Sequence, residues 1–112
     1  MDKQKELEKK VIETCEDLGW WVNVYAEKFE NRFFEIGRLS PLGEDFSFDA
    51  WGDSIIQDIK EYASNFDADE HAENISRMRG SPKSIRAFLA DADEIQEMLY
   101  QLANAVVKIE VE

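Results

Sequence analysis

The apolar residues of this chain change period at Gly52, and that change limits the fold more than any other feature. From Glu44 to Trp51 (EDFSFDAW) they alternate, with Phe46, Phe48 and Ala50 on one side and Asp45, Ser47 and Asp49 on the other. A period of two belongs to a half-buried strand. After Gly52, residues Ile55, Ile56, Ile59, Tyr62, Ala63 and Phe66 fall on one helical stripe, with Asp53 or Ser54 as N-cap. Strands followed by helices predict an α+β fold with the helices on one face of a small sheet.

Two more strands precede the switch. Residues 20–26 (WWVNVYA) put Trp20, Val22, Val24 and Ala26 on one side and Trp21, Asn23 and Tyr25 on the other; residues 32–38 (RFFEIGR) form the next strand. A turn over 27–31 and the Ser40-Pro41-Leu42-Gly43 turn signal join the three into an antiparallel meander. One sheet face then carries Trp21 and Tyr25, with Phe34 as a further candidate. The last helix covers that face or leaves it exposed as a contact surface. Ahead of the strands, Leu7, Val11, Cys15 and Leu18 mark an N-terminal helix over 3–18 that Gly19 stops.

Behind the first post-switch helix, Asp67 and Glu70 have the spacing of a capping box for a short helix ending near Gly80, with Ala72, Ile75 and Met78 as its apolar residues. Residues 76–86 form a basic island with Arg77, Arg79, Lys83 and Arg86, read as a solvated loop. Ser84 can cap a final helix whose stripe runs Ile85, Phe88, Ala92, Ile95, Leu99, Leu102, Val106 and Ile109. That stripe fits either a long helix packed across the sheet or a helix that also pairs in a homodimer. A break near Ala90–Asp93 is expected, because Asp93 and Gln96 have the spacing of a second capping box.

At 112 residues the chain is expected to form one domain over 1–112. Seven Phe, three Trp and three Tyr are too many for a disordered acidic chain. The single Cys15 cannot close an internal disulfide, which fits a reducing compartment. No apolar run approaches the ~18 residues of a membrane span, and the start MDKQKE does not read as a signal peptide. A soluble protein of the cytoplasm is the expectation, with no membrane contact.

Catalytic chemistry finds little support. Cys15 and His71 are the only Cys and His, and Cys15 sits on the apolar stripe of its helix. Gly37, Gly43 and Gly52 are isolated glycines at turns or strand ends, so no phosphate-cradling loop is present. No two carboxylates are marked as an acid–base pair with separated pKa values. Asp67, Asp69, Glu70 and His71 place oxygen and nitrogen ligands close together, but the glycine and twelfth-position acid of a calcium loop are missing. Acids at a helix start also serve its dipole. Neither an enzyme nor a metal or cofactor site is expected.

Charge is the remaining signal. The chain has 25 acids against 13 bases, a net of −12. From Glu44 to Ile75 there are ten acids and one base; from Ala87 to Val107 there are four acids and no base. Such a surface repels nucleic acid and attracts basic protein surfaces, of which nucleic-acid-binding proteins carry the most. Acidity that only keeps a small protein soluble is the plainer alternative. For the functional reading, Asp45 and Asp49 lie ~13 Å apart on a strand, and Asp69 and Glu73 lie one helical turn, ~6 Å, apart. The candidate partner-binding residues are Asp45, Asp49, Asp67, Asp69, Glu70 and Glu73, a second patch of Asp93, Glu94 and Glu97, and the aromatic anchors Trp21, Tyr25 and Trp51.

The run SPLGEDFSFDAWGDSIIQDIKEYASNFDADEHA, followed by SIRAFLADADEIQEML, resembles a family of small acidic proteins of bacteriophages and mobile elements of gut bacteria. The resemblance covers residues 31–105 and carries no catalytic motif. The order of elements and the acidity also resemble a type II-A anti-CRISPR protein that imitates the DNA motif read by Cas9. These resemblances imply a non-enzymatic inhibitor of a Cas nuclease, acting as a DNA mimic in a bacterial host. An antitoxin, an inhibitor of another DNA-binding host protein, and a homodimeric adaptor using the C-terminal helix are the alternatives.

Overall fold

The computed structural model describes residues 2–28, 31–79 and 85–111. The fold is α+β. Helix α1 (Asp2–Asp17) leads into strands β1 (Trp21–Lys28), β2 (Asn31–Leu39) and β3 (Asp45–Trp51). A 3-10 turn at Gly52–Ser54 then opens α2 (Ile55–Asn65), followed by α3 (Ala68–Arg79) and α4 (Ile85–Val111). The strands form an antiparallel sheet in the order β1-β2-β3.

Gly19 ends α1 as expected. Its φ of 91° lies in the left-handed region. The amide of Trp20 donates to Cys15 O at 2.9 Å and that of Gly19 to Glu16 O at 3.0 Å. This pair of bonds satisfies two of the carbonyls that a helix end leaves open. Leu18, expected on the apolar stripe, is exposed, because the turn carries it away from the core that Val11 and Cys15 enter.

The inner sheet face carries Phe34, Ile36, Phe46, Phe48 and Ala50, which pack with Val11, Cys15, Ile55, Ile59, Ile95, Leu99, Leu102 and Val106 in one cluster. Trp20 is 2% exposed and sets its ring edge-on to Phe46 and Phe48, at 6.1 and 5.9 Å. The Arg38 guanidinium lies over the same ring at 5.3 Å and donates to Leu18 O. A smaller cluster, Ala68, Ala72, Phe88 and Ala92, joins α3 to α4.

One expectation on α4 needs correction. The helix is continuous from Ile85 to Val111, with no break at Ala90–Asp93. Instead of capping, Gln96 Nε2 donates to Phe66 O at 3.4 Å. As expected, the helix joins the layer packed on the sheet: its stripe enters the core of Phe34, Ile36, Phe46 and Phe48, alongside α1, α2 and α3. From Phe88 to Val106 its apolar stripe is buried in the chain's own core, and only Ile85 at its start is exposed. A homodimer would therefore have to use another side of α4.

Buried polar groups tie the elements together. Glu8 on α1 is 4% exposed. It accepts two hydrogen bonds from Arg32, Nε to Oε1 at 2.6 Å and Nη2 to Oε2 at 2.8 Å. Gln4 donates to Glu8 and to the carbonyl of Gly52, closing α1 against the start of the helical half. Burial alone would raise the Glu8 carboxyl; the hydrogen bonds from Arg32 and Gln4 and the nearby positive charges outweigh it and hold the group below 4.5. At the start of α2 neither Asp53 nor Ser54 caps through its side chain. Asp58 reaches back instead, accepting from the Trp51 amide at 2.8 Å and the Ser54 hydroxyl at 3.0 Å.

Residues 29 and 30, within the turn expected at 27–31, lie outside the described residues, as do Gly80 and Ser84, the expected stop of α3 and cap of α4. Among the described residues, no helix is long and apolar enough to cross a membrane.

Candidate functional site

Among the described residues no helix covers the outer face of the sheet, since α1 and α2 both pack from the side of Phe46 and Phe48. Trp21, Tyr25 and Trp51, the expected aromatic anchors, sit there at 42%, 67% and 38% exposure. The third-strand carboxylates Asp45 and Asp49 alternate with Phe46, Phe48 and Ala50 and are exposed on the same outer side. Phe34 does not join them. It is 1% exposed on the core face, and Phe33 takes the outer position. The Phe33 ring stacks on Trp51 at 4.7 Å with a 13° interplanar angle and meets the Tyr25 ring edge-on at 5.4 Å.

Two features of β1 and β2 shape this face. The register shifts between Val24 and Ala26, a bulge at Tyr25 that turns its ring to the Phe33 side. Trp21 lies opposite Gly37, where a Cβ would sit 2.3 Å from a Trp21 ring carbon and 2.7 Å from the Phe46 carbonyl oxygen. Gly37 is therefore a mid-strand seat for an indole, not the turn or strand-end glycine its isolation suggested.

The other expected carboxylates belong to the helices. Asp67 caps α3, its Oδ1 accepting from the Glu70 amide at 3.1 Å. Asp67, Asp69 and Asp93, with Phe66, Ala68 and Gln96, line a depression of ≈ 380 Å³ with no Lys or Arg among the described residues of its wall. Asp67 and Glu70 also line an adjoining depression of ≈ 220 Å³ with Tyr62, Asn65, Phe66, His71 and Asn74. Glu73 pairs with Arg77 at 3.4 Å, both well exposed. Glu94 and Glu97 are exposed on α4 outside both depressions. The fold regroups the two acidic patches expected from the sequence: Asp45 and Asp49 lie on the outer sheet face, while Asp67 and Asp69 join Asp93 of the second patch between α3 and α4.

Some acids in those segments are structural. Asp91, counted in the acidic run of α4, is 6% exposed, and its Oδ1 accepts from the Leu42 amide at 2.9 Å, fastening α4 to the β2–β3 turn. Asp58 is spent on the start of α2. Conversely, Glu35 was not singled out from sequence, yet it stands directly across from Asp49 on the outer face. Its hidden signal is the phase of β2: Ile36 must face inward, which turns Phe33 and Glu35 outward, but the Phe33–Phe34 doublet obscures it.

Cys15 and His71 occupy separate environments. Cys15 is fully buried in the main core; burial first, with the charge of Glu16, pushes its thiol up to about 12. The His71 ring lies against Phe66 and Phe46, at 5.3 and 5.6 Å. Burial lowers its pKa, partly opposed by the charge of Asp91. Among the described residues no group of three or more His, Cys, Asp or Glu is placed to hold a metal ion.

Compared with known proteins, the chain matches no family model, no curated protein and no solved structure.

Proposed function

We propose that the protein is a non-enzymatic inhibitor of a phage-defence nuclease, of the Cas9 type, that works in the bacterial cytoplasm as an acidic DNA mimic. It occupies a basic groove of the nuclease and excludes DNA. The observation that supports this reading is the convergence of Asp67, Asp69 and Asp93, from α3 with its cap and from α4, on one depression with no Lys or Arg among the described residues of its wall. Duplex DNA offers a charge about every 1.7 Å along its axis. Carboxylates held on packed helices offer comparable negative points with little entropy to lose. Arginines that read a short DNA motif, or line a channel for displaced strand, would meet these carboxylates in charge-assisted hydrogen bonds. The net charge of −12 adds long-range attraction to such a groove.

The test is DNA cleavage by purified Cas9- and Cas12-type nucleases, with and without the protein, at low and high salt. Inhibition is expected to weaken with salt and to vanish when DNA is bound first. Asp69→Asn with Asp93→Asn spares the Asp67 cap and removes two charged contacts of about 1.5–3 kcal/mol each, so inhibition should weaken at least about a hundredfold. Absence of inhibition across the panel overturns the Cas assignment and moves the target to another DNA-binding protein.

A further inference from the structure

The outer sheet face holds a charge arrangement that the fold itself does not explain. Glu35 and Asp49 are paired directly across β2 and β3. Side chains at such positions stand about 4.5–5.5 Å apart at Cβ, and like charges there are destabilising. Ser47 donates to Glu35 at 3.1 Å. Arg32 and Arg38 do not share this face: they alternate with Phe33, Glu35 and Gly37, and Arg32 is drawn to Glu8 and Arg38 to Trp20 and Leu18. The next cross-strand pair is Phe33 with Trp51, stacked and partly open to solvent. Two carboxylate residues thus stand across from each other in the register, beside a partly exposed aromatic pair.

We propose that this face docks an arginine of a basic partner protein, with its guanidinium bridging Glu35 and Asp49 and its plane lying against the Phe33–Trp51 pair. The inference rests on the reading above that the partner is a basic protein, and it assigns a face separate from the α3–α4 carboxylates. A guanidinium fits better than an ammonium. It is planar, stacks on aromatic rings, and offers donors in a fork that two carboxylates can share. The cation also balances the two like charges that the register sets across from each other at Glu35 and Asp49. A second copy of the chain does not suit the face, because each copy carries −12. The three strands also offer only roughly 300 Å², against the ~800 Å² that each side of a stable pair contributes. The face is suited to be the anchored centre of a larger contact, with Tyr25 and Trp21 flanking it.

The test uses the full chain and an octa-arginine peptide, with octa-lysine as comparison, followed by 1H–15N NMR at low salt. The Trp51 indole signal and the amides of Phe33, Glu35 and Asp49 are expected to shift, the buried Trp20 indole to stay, and octa-arginine to bind about fivefold more tightly than octa-lysine. Glu35→Gln keeps an acceptor for Ser47. It is expected to raise the melting temperature while weakening octa-arginine binding at least about fivefold; a purely structural Glu35 would not couple those two changes. Shifts confined to α3 and α4, or equal affinity for the two peptides, overturn the arginine site and leave the basic-partner reading standing. No shift on any face overturns both.

Discussion

At Gly37 a missing side chain does more than any side chain nearby. The Trp21 indole occupies the space that a Cβ would need, 2.3 Å from a ring carbon, and the Phe46 carbonyl closes the other side at 2.7 Å. Gly37→Ala should therefore displace Trp21 and cost about 1–3 kcal/mol, the usual penalty of overpacking. Urea unfolding measures this, and an unchanged midpoint contradicts the seating of Trp21 on Gly37. Single residues also separate structural from available charge. Glu8, Asp58 and Asp91 each accept hydrogen bonds that hold elements together. Asp45, Asp49, Asp69 and Asp93 stand exposed. Composition assigns all of them the same charge; only their neighbours distinguish them.

At the scale of elements, α4 is the clearest case of a pattern with two readings. A stripe alternating three and four residues apart serves a coiled coil or an internal core equally well. Here Leu99, Leu102 and Val106 are fully buried among α1, α2 and the sheet residues. Leu99→Ala is accordingly expected to cost about 2–5 kcal/mol of unfolding free energy, at a midpoint independent of protein concentration. A concentration-dependent midpoint would show that the stripe works between chains. The meander was legible because alternation is a local property, and β3 follows it residue by residue in burial. The phase of β2 was not, because adjacent Phe33 and Phe34 fit either face and only pairing with β1 and β3 chooses between them. The expected break in α4 failed because Gln96 bonds to a carbonyl contributed by the α2–α3 connection, a partner thirty residues away.

At the scale of the whole molecule, stability responds to pH through groups in different places. Burial depresses His71 below its ordinary 6.5 despite the opposing charge of Asp91. A histidine kept neutral by folding contributes stability that is complete above about pH 6.5 and is lost as pH falls through its folded value. The stability difference between the wild type and His71→Gln should therefore narrow from pH 7.5 to 5.5 in denaturation series; a flat difference contradicts a lowered His71. Glu8, also depressed, acts in the same direction below 4.5. Both run against the relief of repulsion that protonation brings to a chain of net −12. Sequence alone determined the fold class, the order of elements, the stop at Gly19 and the acidity of the surface, because period, capping residues and charge counts are properties of neighbours along the chain. Tertiary structure alone decided that the acidic residues divide between two faces, that Asp91 is interior, that the stripe of α4 is spent within the molecule, and that Glu35 confronts Asp49 beside Phe33 and Trp51. Each of these depends on strand register and helix packing, which bring together residues far apart in the chain.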